Sequence, residues 1–184
     1  KNNIILMNQT HSNKVIIIDD KNLLDKKFNS DALITKLKGI SLGVLTADCV
    51  PVILYDEITS NIGCIHAGWK GVFNGIIENT LNKLKENKSQ NKITASVGPC
   101  IGKENYEVGE EFLYRFMTQD KSNQVFFTKK NDKKYLFDIR SYVVNKLKIN
   151  EVSNIDNVDV NTFKEADNFF SYRRSQQLGE PDYG

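Results

Sequence analysis

Short apolar runs broken by turn residues dominate the first two-thirds of the chain. Residues 4–7 and 15–18 are apolar or β-branched and flank a polar QTHS segment, so each predicts a strand. Residues 32–35, 40–47, 52–55 and 62–66 predict further strands, separated by Lys-Gly, Asp-Cys-Val-Pro and Thr-Ser-Asn breaks. The period then changes. Over residues 68–86, Val72, Phe73, Ile76, Ile77, Thr80, Leu81 and Leu84 recur at three-and-four spacing, which predicts a helix with one apolar face. Residues 93–97 predict a strand closed by Gly98-Pro99. Residues 107–117 and 138–148 predict helices, the second with Ile139, Tyr142, Val143, Lys146 and Leu147 in phase and Asp138 as N-cap. Residues 157–163 predict a late strand, and the hydrophilic stretches 85–92 and 118–134 predict solvated loops. Strands outnumber helices without a regular β-α-β rhythm. The pattern therefore favours an α+β fold, with sheets packed together and helices outside, over a doubly wound one.

The length of 184 residues predicts one domain, 1–184, with a substantial core. A net charge of +2, with lysines scattered rather than gathered on a stripe, gives no footprint for nucleic acid or a membrane surface. No apolar run approaches the length of a membrane span. The three cysteines, Cys49, Cys64 and Cys100, sit in unlike contexts. An odd number argues against a disulfide framework and for a reducing, cytoplasmic compartment. The chain opens on Lys1 rather than Met, and the reading is a domain from which an N-terminal segment is missing.

Candidate chemistry gathers where strands end. There are two histidines. His11 lies in QTHS, just ahead of a strand, and His66 ends the strand that leads into HAGWKG. Cys49, in TADCVP, follows another apolar run. Strand ends are where sheets and barrels place chemistry. Two imidazoles and one thiolate form a zinc-binding set with a fourth position open, as in catalytic rather than structural sites. Cys64 competes with Cys49, because alternation puts Cys64 and His66 on one strand face. The residue pattern does not choose between them. Either cysteine also reads as a small buried hydrophobe, and His66 as a core histidine bonded across a turn. Cys100, in a Gly-Pro loop, lines a pocket or is inert in the core. Asp48, beside Cys49, is placed to move protons or fix an imidazole tautomer. Gly68 permits close backbone approach, and the first helical amides with Lys70 favour an anion. Arg173 and Arg174 offer a bidentate clamp for phosphate or carboxylate, or simply surface charge.

In their order along the chain, QTHS, DALIT, LTADCVPVILYD, IGCIHAGWKG, VGPCIG, NYEVG, FDIR and FFSYRR resemble the YfiH-like, laccase-domain family, also called polyphenol-oxidase-like or multicopper-oxidoreductase-like. These segments run from about residue 9 to 174. The resemblance implies a four-layer αββα sandwich of mixed sheets with flanking helices, related to a cysteine-hydrolase-like fold. It implies His11, Cys49 and His66 as zinc ligands, which leaves Cys64 in the core. It also implies purine-nucleoside chemistry: phosphorolysis of adenosine, inosine, guanosine or methylthioadenosine, and deamination of adenosine. The partners would be a nucleoside and phosphate. A three-ligand zinc lowers the pKa of water to roughly 7, which suits attack at purine C6. Asp48 would carry protons, and Gly68 with Lys70, or Arg173, would hold phosphate. The chain departs from the family pattern after HAGW, where Lys70-Gly71-Val72 stands in place of Arg-Gly-Thr. Lys70 keeps the charge but loses the fork.

The older family name implies a copper-dependent polyphenol oxidase. A blue-copper centre would add an axial methionine such as Met7, but two histidines cannot also build a trinuclear cluster, so zinc is preferred over copper. A Cys–His hydrolase acting on peptidoglycan precursors would use Cys49 as nucleophile and His66 as base. A closed zinc-binding module would need a fourth ligand from Cys64 or Cys100.

Overall fold

The computed structural model describes residues 4–23, 26–85 and 92–179. In chain order the strands are β1 (Ile4–Leu6), β2 (Val15–Ile18), β3 (Ala32–Thr35), β4 (Ser41–Gly43), β5 (Val50–Asp56), β6 (Asn61–Ala67), β7 (Ile93–Val97), β8 (Glu107–Gly109), β9 (Phe127–Lys129), β10 (Lys134–Phe137) and β11 (Asn154–Asn157). The helices are α1 (Trp69–Phe73), α2 (Ile76–Lys85), α3 (Glu110–Gln119), α4 (Ile139–Ile149) and α5 (Tyr172–Leu178).

A mixed six-stranded sheet, ordered β11-β7-β5-β6-β3-β2, organises the rest. Its middle strands β7, β5, β6 and β3 are antiparallel neighbours, and β11 and β2 flank them in parallel pairs. Val50, Val52 and Leu54 alternate along β5 toward one face, where they meet Ile76, Ile77 and Leu81 of α2 and Tyr142, Val143 and Leu147 of α4. On the opposite face Ile18, Leu33 and Cys64 pack against Ile5, Met7 and Ile40, which places the small parallel β1–β4 sheet over the β2–β3–β6 end. The α+β class, with mixed sheets face to face and helices outside, is therefore as expected.

A third sheet, β8-β10-β9, is antiparallel and backs an aromatic cluster. Phe116 is fully buried and meets the rings of Phe137 and Tyr142 at 5.1 and 5.2 Å. Phe112 joins this cluster to Trp69 at 4.9 Å. The aromatic core thus reaches the start of α1, directly beside His66.

Several elements differ from their sequence expectation, each for a local reason. The helix expected over residues 68–86 is two helices, because Gly75 takes a positive φ of 88° between α1 and α2; Glu86 lies outside the described residues. The strand expected over 40–47 is only β4. Past Gly43 the chain leaves the sheet, and the Gln9 side chain serves Leu45 instead, accepting from its N–H at 2.8 Å and donating to its carbonyl at 2.7 Å. Residues 107–109, expected as the first turn of a helix, pair with β10, where Glu107 also bridges Lys130 and Lys134. α4 matches expectation, with the Asp138 carboxylate accepting from Ser141 N–H. The late strand lies earlier, at β11. Over residues 158–160, Arg140 donates to the carbonyls of Val158 and Val160, taking acceptors a strand would have used. The stretch 118–134 is not all solvated loop. It carries a short 3₁₀ helix (Lys121–Phe126) and β9, whose Phe127 stacks on Phe137 at 4.7 Å. Of the loop expected over 85–92, residues 86–91 lie outside the described residues. α5 was not expected; it is capped by Ser171, whose side chain accepts from Arg174 N–H. Among the described residues no helix is long and apolar enough to cross a membrane.

Candidate metal centre and its cavity

Sheet register assembles the centre. β6 lies between β5 and β3, and pairing of Val50 with Ala67 brings Cys49, which precedes β5, beside Gly68. Pairing of Ala32 with Ile65 sets Asp31 opposite His66, whose N–H donates to the Asp31 carbonyl at 2.8 Å. His11 arrives on the loop between β1 and β2 with a positive φ of 56°, a left-handed conformation uncommon among residues other than glycine. The ligand atoms of His11, Cys49 and His66 all lie within 4.8 Å of one another. Cys49 Sγ is 3.8 Å from His11 Nε2. The centre grades from a buried His66 through a half-buried Cys49 to an exposed His11, so its open side faces solvent. A Cβ at Gly68 would stand 2.7 Å from His11 Cδ2 and 3.1 Å from Cys49 Sγ. Glycine is needed there so that the two side chains can approach over the backbone.

The cysteines separate by place. Cys64 is buried between the sheets and Cys100 in the main core, and neither belongs to the three-residue group. All three are free thiols. The arginines separate as well. Arg174 is buried and donates to the carbonyls of Thr162, Phe163 and Phe169, tying down the loop before α5. Buried and committed to those carbonyls, it is not a surface charge. Arg173 lines the cavity, its guanidinium 5.2 Å over the Tyr106 ring and donating to Glu107 carbonyl at 2.9 Å.

Burial dominates the electrostatics. It pushes the Cys49 thiol up to about 12, with help from the nearby Asp48, Cys100 and Asp31. It also lowers His66, against the opposing pull of its bond to Asp31. Asp31 is fully buried, which by itself raises a carboxyl, yet hydrogen bonds from His66 and Ser12 hold it below the ordinary value. An ionised Asp31 facing a neutral His66 leaves Nδ1–H pointing at the carboxylate, 2.8 Å away, and Nε2 free for a metal. The donors present fit the zinc expected from the sequence. The set of two imidazoles and a thiolate also suits copper.

The centre opens into a cavity of about 970 Å³. Asp48 and Lys70 line it beside His11, Cys49 and His66, and Trp69, Tyr106, Phe170 and Tyr172 give it aromatic walls. Lys70 is exposed, with Nζ 5.7 Å from the Trp69 ring centre. Gly68 is buried at the head of α1, a helix of only five residues. Asp48 adopts a positive φ of 88°. Its carboxylate accepts from Thr162 Oγ1 at 2.8 Å and Arg173 N–H at 2.7 Å, so it fastens the start of α5 to the cavity. Sequence reasoning missed Asp31, Tyr106, Phe170 and Tyr172 as individual residues. Asp31 had one legible sign, an acidic residue directly ahead of an apolar Ala-Leu-Ile run.

The family model described as multi-copper polyphenol oxidoreductase laccase matches residues 1–181. The chain belongs to this laccase-domain family. Among curated relatives, a Rickettsia conorii protein named purine nucleoside phosphorylase is 37% identical over 179 residues, covering 97% of this chain and 73% of the relative. The purine nucleoside phosphorylase YfiH of Escherichia coli is 32% identical over 175 residues, covering 95% of this chain and 70% of the relative. The crystal structure of Neisseria meningitidis protein NMB0706, of family DUF152, superposes with a TM-score of 0.84 at 29% identity, over 93% of this chain and 69% of that one. The Bacillus licheniformis YfiH structure gives 0.87 at 25% identity, over 95% of this chain and 70% of that one.

Proposed function

We propose that this laccase-domain chain is a zinc-dependent purine nucleoside phosphorylase that also deaminates adenosine, with adenosine, inosine, guanosine and methylthioadenosine as its substrate class. The observation that carries the reading is the His11–Cys49–His66 group at one wall of a cavity of about 970 Å³ with cationic and aromatic walls. Relatives over most of the chain bear the phosphorylase name. His11, Cys49 and His66 would hold the zinc, which when bound supplies Lewis-acid activation of water for deamination.

The chain's own groups divide the remaining work. Phe170 and Tyr172 offer aromatic faces to a purine, and Arg173 and Lys70 supply positive charge for phosphate. In phosphorolysis a phosphate oxygen bonds to ribose C1′ as the C1′–N9 bond breaks, and the departing purine takes up a proton. Asp48, at the cavity wall, is the candidate to move it. Gly68 contributes clearance for the ligands, and its amide region remains part of the proposed phosphate site with Lys70.

The competing readings fare worse on particular observations. A thiol pushed up to about 12 is a poor nucleophile at neutral pH, and Cys49 Sγ has the His11 ring as a hydrogen-bond partner, with Nε2 at 3.8 Å. That weakens a Cys49–His66 hydrolase. Met7 lines the cavity, as an axial copper ligand would require, but the histidine count still falls short of a trinuclear cluster. Purified protein is expected to convert inosine to hypoxanthine and ribose 1-phosphate only with phosphate, and to release ammonia from adenosine without it. Chelation should abolish both reactions and added zinc restore them. Purine turnover that survives full demetallation would defeat the metal-dependent reading.

A further inference from the structure

We propose that Asp31 is the positioning residue of the metal centre, one buried carboxylate that aims both histidines. The proposal rests on the metal-binding reading above. Asp31 Oδ1 accepts from His66 Nδ1 at 2.8 Å and from the backbone N–H of His11 at 3.0 Å. A single oxygen atom therefore links one histidine through its ring and the other through its main chain. Oδ2 accepts from Ser12 N–H at 2.6 Å and Ser12 Oγ at 2.7 Å, with Thr10 N–H and Oγ1 both at 3.3 Å.

These contacts have two consequences. The His66 ring is buried and edge-on to His11, with centroids 4.7 Å apart, so little else fixes its proton. The carboxylate only accepts, so Nδ1 must carry the hydrogen and Nε2 must present its lone pair to the metal. The second consequence is at His11. Its positive φ is an unfavourable backbone state that persists only where surroundings over-determine it. Three successive N–H groups, from Thr10, His11 and Ser12, converge on Asp31 and form an anion-binding nest that holds this bend. The charge of Asp31 is thus placed to stabilise the loop that delivers the most exposed ligand.

An amide of the same shape cannot do this. If the Asn oxygen replaces Oδ1, its NH₂ faces the N–H donors of Thr10 and Ser12. If it is turned round, NH₂ faces His66 Nδ1 and selects the tautomer with Nε2 protonated, which cannot bind metal. Asp31→Asn is therefore expected to weaken Zn²⁺ binding roughly 10- to 100-fold in chelator competition. At saturating Co²⁺ its ligand-field and thiolate charge-transfer bands should also change shape, because ligand directions change. A variant that binds Zn²⁺ as tightly as wild type, with the wild-type Co²⁺ spectrum, would overturn the proposal. Wild-type protein tests the same assignment without substitution. In zinc-loaded protein the ¹⁵N spectrum of the His66 ring should show the proton on Nδ1, and a proton on Nε2 would overturn it. Wild type that binds neither Zn²⁺ nor Co²⁺ would remove the metal-binding reading as well, whereas a normal wild type with an unaffected Asp31→Asn removes this proposal alone.

Discussion

Asp48 combines two functions at the residue scale, and one substitution can separate them. Its carboxylate fastens Thr162 and the first turn of α5, yet it also lines the cavity where a proton carrier is wanted. In Asp48→Asn the oxygen can still accept from Arg173 N–H, while NH₂ can donate to the Thr162 hydroxyl, which accepts as well as it donates. The anchor survives, while the negative charge and the basic oxygen that could take up and pass on a proton are lost. Expected, then, is an unfolding midpoint close to wild type with phosphorolysis slowed by about 10²-fold or more. Unchanged turnover in a fully folded variant would leave Asp48 as an anchor only. The sequence made Asp48 and Cys49 legible because unusual residues stood together at a strand end. It did not reveal Asp31, whose partners come from residues 10–12 and 66.

At the element scale, side-chain pattern was a good guide to which face is buried and a poor one to where an element stops. Residues 72–84 keep their apolar period across the α1–α2 junction, since Val72, Ile76, Ile77, Leu81 and Leu84 are all buried. The break between them is a backbone event at Gly75, which the period of the side chains does not register. A Cβ at Gly75 would meet only Glu78 Oε2, at 3.7 Å, so the space is open and the penalty of a side chain is conformational. Gly75→Ala is therefore expected to destabilise the protein by about 1–2 kcal/mol in urea unfolding, with metal binding retained. Stability equal to wild type would mean the junction can straighten into one helix. β4 teaches the complementary lesson. Its apolar run continues to Ala47, but Gln9 captures the Leu45 backbone and turns a possible strand into cavity wall.

At the scale of the whole molecule, the buried ionisable groups set a pH window for the metal-free protein. His66 lies below its ordinary 6.5 and Asp31 below its ordinary 3.8. For both, the unfolded chain binds more protons than the native one as pH falls, so stability is present above those ordinary values and lost on acidification. The thiols shift the other way. Cys49, Cys64 and Cys100 rise from 9.0 to about 12, so their contribution is intact below 9.0 and lost as pH climbs toward 12. The midpoint of thermal unfolding without metal should be highest between about 6.5 and 9 and fall on either side. A midpoint that rises steadily from pH 7 to pH 5 would contradict the direction assigned to His66. The sequence by itself determined the α+β class, the apolar faces of most strands and helices, and which rare side chains could do chemistry, because local period and residue type are properties of neighbouring positions. The motif resemblance already favoured Cys49 over Cys64, and the tertiary structure supplies the geometry behind that choice; it alone decided that Arg173 and Arg174 part company and that Asp31 stands behind both imidazoles. Those outcomes depend on strand register and long-range pairing, in which a shift of one residue reverses every side chain, and no local pattern contains that register.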